Sequence, residues 1–432
     1  MLKKILSLIL TSALMLSMAV LFSGCEDASS SSSDSKTSNK NAKDIKIGAI
    51  LTGDENENYS LPHIEGINFA VSSLGISENN VIWKYNTPVQ SCEDTANDLV
   101  NQGCDIIFAN NYDYETYIQL VAEKNPEVTF VSISGDFAAI CGINNHKNAF
   151  TKIYQARYVS GVVAGLKLKE LIENDELTKE KLPTAFDKDG NIKIGYVAPF
   201  DYSEVVSGYT AFYLGIKSVV KNVVMEVKTT GTWLNADAES SAAELLIDDG
   251  CVIISQHSEL TAVSALAESK AKEGKMIYSI GYGVDMRDIA PTTSLTSAIN
   301  NWSAYYKYAI DCILKGEEIN ADWAEGYSAG AVTTSELGKN VAKGTKKYID
   351  EVVDKIKNES VQVFDIRNFT VDNQAISNAQ VDLSYYDFSG SEPTVLYAGE
   401  TKEAIINGYF SESTLRSAPY FSLKIDGITV SN

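Results

Sequence analysis

Histidine and cysteine are scarce in this chain of 432 residues, which has three of the first and six of the second. His63, His146 and His257 do not combine with any cysteine in the spacing of a zinc site. The cysteines lack the spacing of a disulfide framework. Cys104 and Cys251 occupy equivalent positions of a repeat, each just before a buried strand, where cysteine acts as a small apolar residue. The sequence therefore predicts no metal site, no disulfide framework and no cofactor.

Motifs that mark the common α/β enzymes are missing as well. The sequence has no Gly-x-Ser-x-Gly elbow, no phosphate-binding loop and no dinucleotide fingerprint after its first strands. Doubly wound folds do host many enzymes, so the fold alone does not exclude one. Without a nucleophile or an anion cradle, however, we expect a binding protein and no catalytic residues.

Basic residues are outnumbered by acidic ones, 36 to 57, for a net charge of −21. A surface of that sign repels nucleic acid and anionic lipid, so neither is an expected partner.

Long apolar runs are confined to the amino terminus. Lys3 and Lys4 precede an uncharged stretch at 5–22, and residues 22–25 resemble a bacterial lipobox, in which the cysteine receives a diacylglyceryl group. We predict a signal peptide at 1–24, lipidation at Cys25 and a flexible Ser-rich tether at 25–44, which place the protein on the extracytoplasmic face of the cell membrane. An ordinary signal peptide with an incidental cysteine, or an uncleaved anchor helix, is the alternative.

Three strand-like segments recur at an offset of 147 residues (192 − 45): 45–48 return as 192–195, 103–107 as 250–254, and 129–133 as 276–280. Their common order and offset indicate a duplicated βα unit. Two open parallel sheets that face each other form a cleft, and such sheets bind ligands at the carboxyl ends of their strands.

The pattern of apolar runs and turn residues predicts an α/β fold of two doubly wound parallel-sheet lobes joined by a hinge. We assign 45–145 plus 296–322 to the amino-terminal lobe and 146–295 plus 323–432 to the carboxy-terminal lobe, with 361–432 as short strands and turns wrapped on the latter. Predicted strands lie at 45–51, 81–85, 104–109, 128–133, 192–198, 223–230, 251–255 and 276–280, and helices at 61–74, 92–102, 113–124, 153–172, 203–219, 236–249 and 259–273, with a further strand–helix pair at 294–315.

The segments after these strands contain aromatic rings, amides and carboxylates, and hardly any lysine or arginine. An anionic ligand would call for an arginine clamp or a glycine-rich cradle. Rings stack on flat faces, and amides and carboxylates bind polar edges. The composition favours a neutral, flat ligand such as a nucleobase, a nucleoside or a sugar.

Several of these segments resemble one family over residues 45–325. The similar segments are 231–235, 250–258, 281–286, 290–291 and 295–306. They resemble the basic membrane lipoprotein family, the substrate-binding proteins of ABC importers that include purine nucleoside receptors. The resemblance implies a fold like the type I periplasmic binding proteins, ABC permease and ATPase subunits as partners, and adenine or a purine nucleoside as ligand. In the first loop, Tyr59 stands near the place where nucleoside-binding relatives carry a Phe-Asn pair.

The resemblance favours Asp285 most, since that acidic position holds ligand hydroxyls or ring nitrogens in the family; a turn cap is the alternative. Trp233 and Trp302 stack on a base or belong to a lobe core. Gln256 and His257 bind ligand or cap a strand, and Glu204 and Asn110 are candidates that a structural role would also explain. The full predicted set is Asn56, Tyr59, Asn110, Tyr112, Glu204, Trp233, Gln256, His257, Tyr282, Asp285, Asn301 and Trp302.

The predicted mechanism is hinge closure around the ligand, followed by docking on a transporter. A sugar remains the rival ligand. A surface receptor that feeds a sensor kinase or mediates adhesion remains the rival function.

Overall fold

A computed structural model describes residues 40–258, 260–387 and 393–431. The predicted signal peptide, Cys25 and most of the tether lie outside these residues. The first part of the described chain alternates strand and helix: β1 (Ile47–Ile50), α1 (Ser60–Ser73), β2 (Val81–Lys84), α2 (Cys92–Asn101), β3 (Ile106–Ala109), α3 (Glu115–Lys124), β4 (Thr129–Ile133) and β5 (His146–Thr151).

The same alternation continues through a second series of strands and helices. It consists of α4 (Ile153–Glu173), β6 (Ile192–Ala198), α5 (Ser203–Val219), β7 (Val223–Thr229), α6 (Ala236–Asp248), β8 (Ile253–Gln256), α7 (Ala262–Lys272), β9 (Tyr278–Tyr282), β10 (Ser294–Asn300), α8 (Ser303–Lys315), β11 (Asp322–Glu325), β12 (Val332–Thr334) and α9 (Thr345–Lys357). The chain returns to the first sheet at β11. None of the helices in the described ranges is both long and apolar enough to cross a membrane.

The described residues 361–387 and 393–431, which we call the carboxy-terminal arm, form turns and short strands. These strands are β13 (Gln380–Asp382), β14 (Tyr385–Asp387), β15 (Thr394–Tyr397), β16 (Thr401–Glu403), β17 (Ile405–Ile406), β18 (Tyr409–Phe410) and β19 (Ile428–Ser431).

Two large sheets define two lobes, which confirms the predicted fold class. The first lobe has six parallel strands in the order β11-β5-β4-β3-β1-β2, and the second has seven in the order β12-β10-β9-β8-β6-β7-β19, of which only β12 is antiparallel. The strands in the middle of these sheets are buried on both faces, which explains their unbroken apolar runs.

The repeat of 147 residues corresponds to equivalent strands. β1 lies between β2 and β3 in the first sheet, and β6 lies between β7 and β8 in the second. Ile47 of β1 pairs with Ile106 of β3, and the residues 147 positions later, Ile194 of β6 and Ile253 of β8, pair in the same way. Gly103 and Gly250 end the preceding helices with φ of +81° and +104°, a conformation that strongly favours glycine.

The chain passes between the sheets later than the predicted boundaries 145/146, 295/296 and 322/323 would place it. β5 (His146–Thr151) pairs with β4 and β11 in the first sheet. β10 pairs within the second sheet up to Asn300, and β11 pairs with β5 in the first sheet up to Glu325. The backbone N–H of Lys152 donates to Glu325 O over 2.7 Å, and Thr151 donates to Asn300, so the three passages lie side by side as a hinge.

Strand β5 was not predicted, because four of its six residues are polar. They are nevertheless buried. His146 Nε2 bonds Ser132 Oγ at 2.9 Å, and Asn148 Nδ2 donates to Glu115 Oε1 over 2.6 Å. Buried side-chain partners thus replace the apolar pattern by which a strand is recognised.

Candidate ligand-binding cleft

A small cavity of about 30 Å³ opens between the two lobes. Asn58, Tyr59 and Pro62 line it from the loop after β1 and the start of α1, and Tyr282 and Gly283 from the end of β9. Asn300 and Trp302, on the passage from β10 to α8, complete the lining. None of these seven side chains carries a formal charge.

On the first-lobe side the cavity is backed by a series of rings. The His63 ring stacks on Trp302 at 4.8 Å between centroids and meets Tyr59 edge-on at 5.1 Å. The Tyr59 hydroxyl donates to the backbone oxygen of Asn110. Burial lowers the pKa of His63 to about 3, so its imidazole is neutral and bonds Tyr306 through Nδ1 over 2.8 Å. Hydrogen bonds to Asn110 and Tyr306 therefore fix the orientation of the Tyr59 and His63 rings.

On the second-lobe side a buried polar chain lies behind Tyr282. His257 is fully buried, and its Nε2 lies 2.7 Å from Glu204 Oε1. Burial lowers the pKa of His257 below its usual value, so the neutral ring donates through Nε2–H to the carboxylate and accepts from the Tyr196 hydroxyl at Nδ1 over 3.2 Å. The ring centroids of His257 and Tyr282 are 5.0 Å apart.

Arg157, from the first half of α4, lies under the same tyrosine. Its guanidinium carbon is 3.7 Å from the centroid of the Tyr282 ring, and Nη1 donates to Gln256 O over 2.7 Å. The side chain is 1 % exposed. This cation lies in a helix and not in a segment after a strand, so it was not predicted from the sequence. The Tyr282 ring separates the guanidinium from the cleft, and the nearby Glu204 carboxylate offsets its charge.

Three predicted residues, Tyr59, Tyr282 and Trp302, line the cavity. Three more lie one layer behind it in the second lobe: Glu204 and His257 in the polar chain, and Trp233 at 6.3 Å from the His257 ring. Gln256 belongs to the same layer, where its side-chain nitrogen donates to Ser258 O over 2.9 Å.

The predicted amides are occupied by neighbouring groups. Asn56 is exposed and donates to Asp54 within its own turn over 3.0 Å. Asn110 is buried, accepts from Thr52 N over 3.0 Å and donates to Ser60 Oγ over 3.2 Å. Asn301 donates to Gly330 O over 2.7 Å. Each of these amides supports local structure, which was the alternative reading for Asn110.

Tyr112 and Asp285 do not reach the cavity lining. Tyr112 is 43 % exposed and interacts with Tyr385 of the carboxy-terminal arm. Asp285 accepts from Arg287, whose Nη2 and Nε lie 2.7 and 2.9 Å from its Oδ2. Burial opposes ionisation of Asp285, but this arginine holds the pKa of the carboxyl below its usual range.

Residues outside the predicted set also belong to the arrangement, and the cavity lining includes Asn58, Pro62, Gly283 and Asn300 among them. Asn58 and Asn300 adjoin predicted positions, and Asn300 stands in the polar run after β10 from which only Asn301 and Trp302 were chosen. Tyr196 and Arg157 lie inside a strand and a helix, where no sequence signal separates them from ordinary core and surface residues.

Two parallel-sheet lobes that face each other across an uncharged, ring-lined cavity define a solute-binding protein of the hinged, two-lobed class. More particularly, the chain belongs to the Bmp family, described as PnrA-like ABC transporter substrate-binding proteins, whose model matches residues 58–367.

Known relatives agree with this assignment. The chain is 26% identical over 321 residues to a purine-binding protein of Brucella abortus, covering 74% of this chain and 83% of that protein. It is also 26% identical over 261 residues to a Haloferax volcanii protein provisionally named as an ABC transporter glucose-binding protein, covering 60% of this chain and 59% of that protein. A solute-binding protein of Aeropyrum pernix shares the fold, with a TM-score of 0.60, 14% identity, and coverage of 74% of this chain and 93% of that one.

Membership identifies the protein as a solute-binding component of an ABC transporter and not an enzyme. Its partners are a small-molecule ligand and a permease, and it functions outside the cytoplasm.

Proposed function

We propose that this protein captures a purine base or nucleoside in the cleft between its lobes and delivers it to an ABC importer. The observation that carries the proposal is the cavity lining, in which Tyr59 and Trp302 from one side face Tyr282 from the other. Rings on opposite lobes can sandwich a flat heterocycle, which is the form of a purine.

The lining also favours a neutral ligand with polar edges. The amides of Asn58 and Asn300 stand beside the rings. Asn300 accepts from Thr151 and donates to the Tyr282 hydroxyl over 3.4 Å, and its second N–H and second lone pair can bind the edge of a ligand. Arg157 is covered by Tyr282, so no guanidinium lies in the cavity lining to hold a phosphate or carboxylate. The purine-binding name of the Brucella abortus relative supports the same ligand class.

Ligand entry requires the lobes to separate. A cavity of about 30 Å³ has room for one or two water molecules, whereas sites for small organic ligands enclose on the order of 300–1,000 Å³. We infer that the lobes open about the three hinge passages, and that a ligand between the rings favours the closed arrangement.

In this proposal Tyr59, Tyr282 and Trp302 stack on the ligand, and Asn58 and Asn300 bind its edges. Glu204, Trp233, Gln256 and His257 hold the second-lobe wall in place. Asn56, Asn110, Tyr112, Asp285 and Asn301 support the loops around the cleft.

Attachment to the outer face of the membrane through a lipid on Cys25 is also part of the proposal. It rests on the lipobox-like residues 22–25 and the polar stretch that follows. Fractionation of cells that express Cys25→Ser tests it, since loss of the anchor moves the protein from the membrane to the soluble fraction.

The ligand is tested by mass spectrometry of small molecules released from the purified protein, followed by calorimetric titration with adenine, guanosine, inosine, ribose and galactose. We expect purines to bind and the free sugars not to bind. Binding of a sugar without any purine would replace the proposal with the sugar alternative that the Haloferax volcanii relative represents.

A pair of variants locates the binding. Tyr282→Ala removes one stacking face, worth about 1 to 3 kcal/mol, and is expected to weaken purine binding by about 5- to 150-fold. Tyr348→Ala removes an exposed ring from α9, away from the cleft, and serves as the matched control with unchanged affinity. Equal affinities of the two folded variants would place the ligand elsewhere.

A further inference from the structure

The carboxy-terminal arm contacts both lobes, and nearly all of it lies beyond the family match, which ends at residue 367. From the sequence, this segment was predicted to pack on the second lobe alone. The structure shows contacts with the first lobe as well. A segment that is bound to both lobes restricts how far the lobes can separate.

The arm is firmly attached to the second lobe at its end. β19 pairs in parallel with β7 over Ile428–Ser431 and so becomes an edge strand of the second sheet. Just before it, Met225 N donates to Gly427 O over 2.8 Å. The Lys424 ammonium pairs with Asp201 and lies 3.2 Å from the Tyr209 hydroxyl.

The arm is attached to the first lobe only a few residues earlier. Arg416 Nη1 lies 3.3 Å from Asp136 Oδ2, and both side chains are largely buried, with 18% and 13% exposed. Ser417 N donates to Asp322 Oδ1 over 2.9 Å at the start of β11. Lys424 follows Ser417 by seven positions, and a fully extended chain of that length spans at most about 25 Å.

A second contact with the first lobe is aromatic. Phe137, in the loop between β4 and β5, is fully buried under two rings of the arm. Its centroid is 4.5 Å from that of Tyr385 and 5.0 Å from that of Tyr397. The β4–β5 connection has no helix of its own to cover this face of the sheet, and the arm supplies the cover.

The segment between the two attachments is itself held in shape. Glu412 Oε2 accepts from Tyr420 N over 3.1 Å and from Phe421 N over 2.8 Å, and the Phe421 ring stacks on Phe364 at 4.3 Å. A cavity of about 330 Å³ separates this part of the arm from the hinge residues Lys152, Gln155 and Glu325. The hinge passages therefore have room to move while the arm stays folded.

We propose that the carboxy-terminal arm is a strap that ties the two lobes together across the hinge and limits how far the cleft opens. The Arg416–Asp136 pair is its fastening on the first lobe, and β19 is its fastening on the second. This inference concerns the protein without ligand and does not depend on which solute the cleft binds.

The test measures lobe separation in the ligand-free, full-length mature chain. Spin labels are attached at Glu55→Cys and Asp237→Cys, one exposed position in each lobe, with Cys25 and Cys141 replaced by serine. Arg416→Gln is expected to raise the population of long inter-label distances by at least about twofold to fivefold, because an exposed ion pair already contributes that much and this pair is largely buried.

Arg367→Gln is the control. It removes the same charge from the same arm, but this guanidinium pairs with Asp365 two residues away, over 2.9 Å, and is 85% exposed. Asp136→Asn removes the charge of the first-lobe partner with little change of shape, and is expected to raise the population of long distances as Arg416→Gln does. It also tests the strap by itself if Arg416→Gln does not fold. Distances in Asp136→Asn equal to those of the control would overturn the strap.

Discussion

At the residue scale, burial decides which polar groups of this protein can change charge near neutral pH. Glu412 is 2 % exposed, and burial raises its pKa to about 7. Two backbone N–H groups bond its Oε2, so its position in the arm does not require the negative charge. An amide oxygen can accept the same bonds.

Replacement of Glu412 by glutamine therefore has a pH-dependent effect on stability. The folded pKa lies above the unfolded value of about 4.3, so the stabilisation that protonation gives is complete below that value and is lost as the pH rises through about 7. The free energy of unfolding of Glu412→Gln, relative to the native chain, should rise between pH 4.5 and pH 7.5 by up to about 3 kcal/mol.

Urea unfolding at several pH values measures this difference. Glu351→Gln, at an exposed position on α9, is the control and should show no such trend. A difference that stays constant with pH would mean that Glu412 has the same pKa in the folded chain as in the unfolded chain.

At the scale of elements, α4 and α5 pack closely enough to exclude a side chain at two positions. A Cβ at Gly161 would lie 2.1 Å from Phe212 O, and one at Gly215 would lie 2.1 Å from Tyr158 O. The absence of a side chain at Gly161 thus lets the two helices approach closely. The contact matters for the cleft because α4 carries Arg157 and α5 carries Glu204.

Gly161→Ala is expected to lower the free energy of unfolding by about 2 kcal/mol or more. Alanine gains about 1 kcal/mol of helix propensity, but the backbone atoms that its methyl meets cannot move aside without separating the helices. Lys169→Ala, on the exposed side of the same helix, should change stability by less than about 0.5 kcal/mol. Thermal unfolding of both variants makes the comparison, and a neutral Gly161→Ala would contradict the packing argument.

At the scale of the whole molecule, the two lobes are joined by three hinge passages and by the arm. The ring-lined cavity lies between the lobes, so a separation of the lobes about these passages would widen it. The small volume of the cavity indicates that the structure represents a closed arrangement.

Small-angle scattering should detect this motion. Addition of a purine that binds is expected to reduce the radius of gyration of the native chain, because ligand between the rings favours the closed form. Tyr282→Ala at the same purine concentration should show less compaction. An unchanged radius at saturation would mean that binding does not use the hinge.

Much of the fold could be predicted from the sequence. β6 and α5 occupy the predicted residues 192–198 and 203–219, because continuous apolar runs and a helical period are local signals that do not depend on distant contacts. The helix cap at Asn235, whose Oδ1 accepts from Ala238 N over 3.0 Å, is likewise a local feature, because asparagine is a preferred residue at the start of a helix. β5 was not, because its buried polar residues are satisfied by partners elsewhere in the chain.

The sequence by itself determined the alternation of strands and helices, the duplication that makes two lobes, and the ring-rich, cation-poor strand ends. Only the tertiary structure decided that Tyr59 and Tyr282, 223 positions apart, line the same cavity while Asp285 turns to Arg287. It also decided that the arm reaches both lobes. Local patterns encode hydrogen bonding and burial within an element, whereas the approach of distant side chains depends on how the finished elements pack.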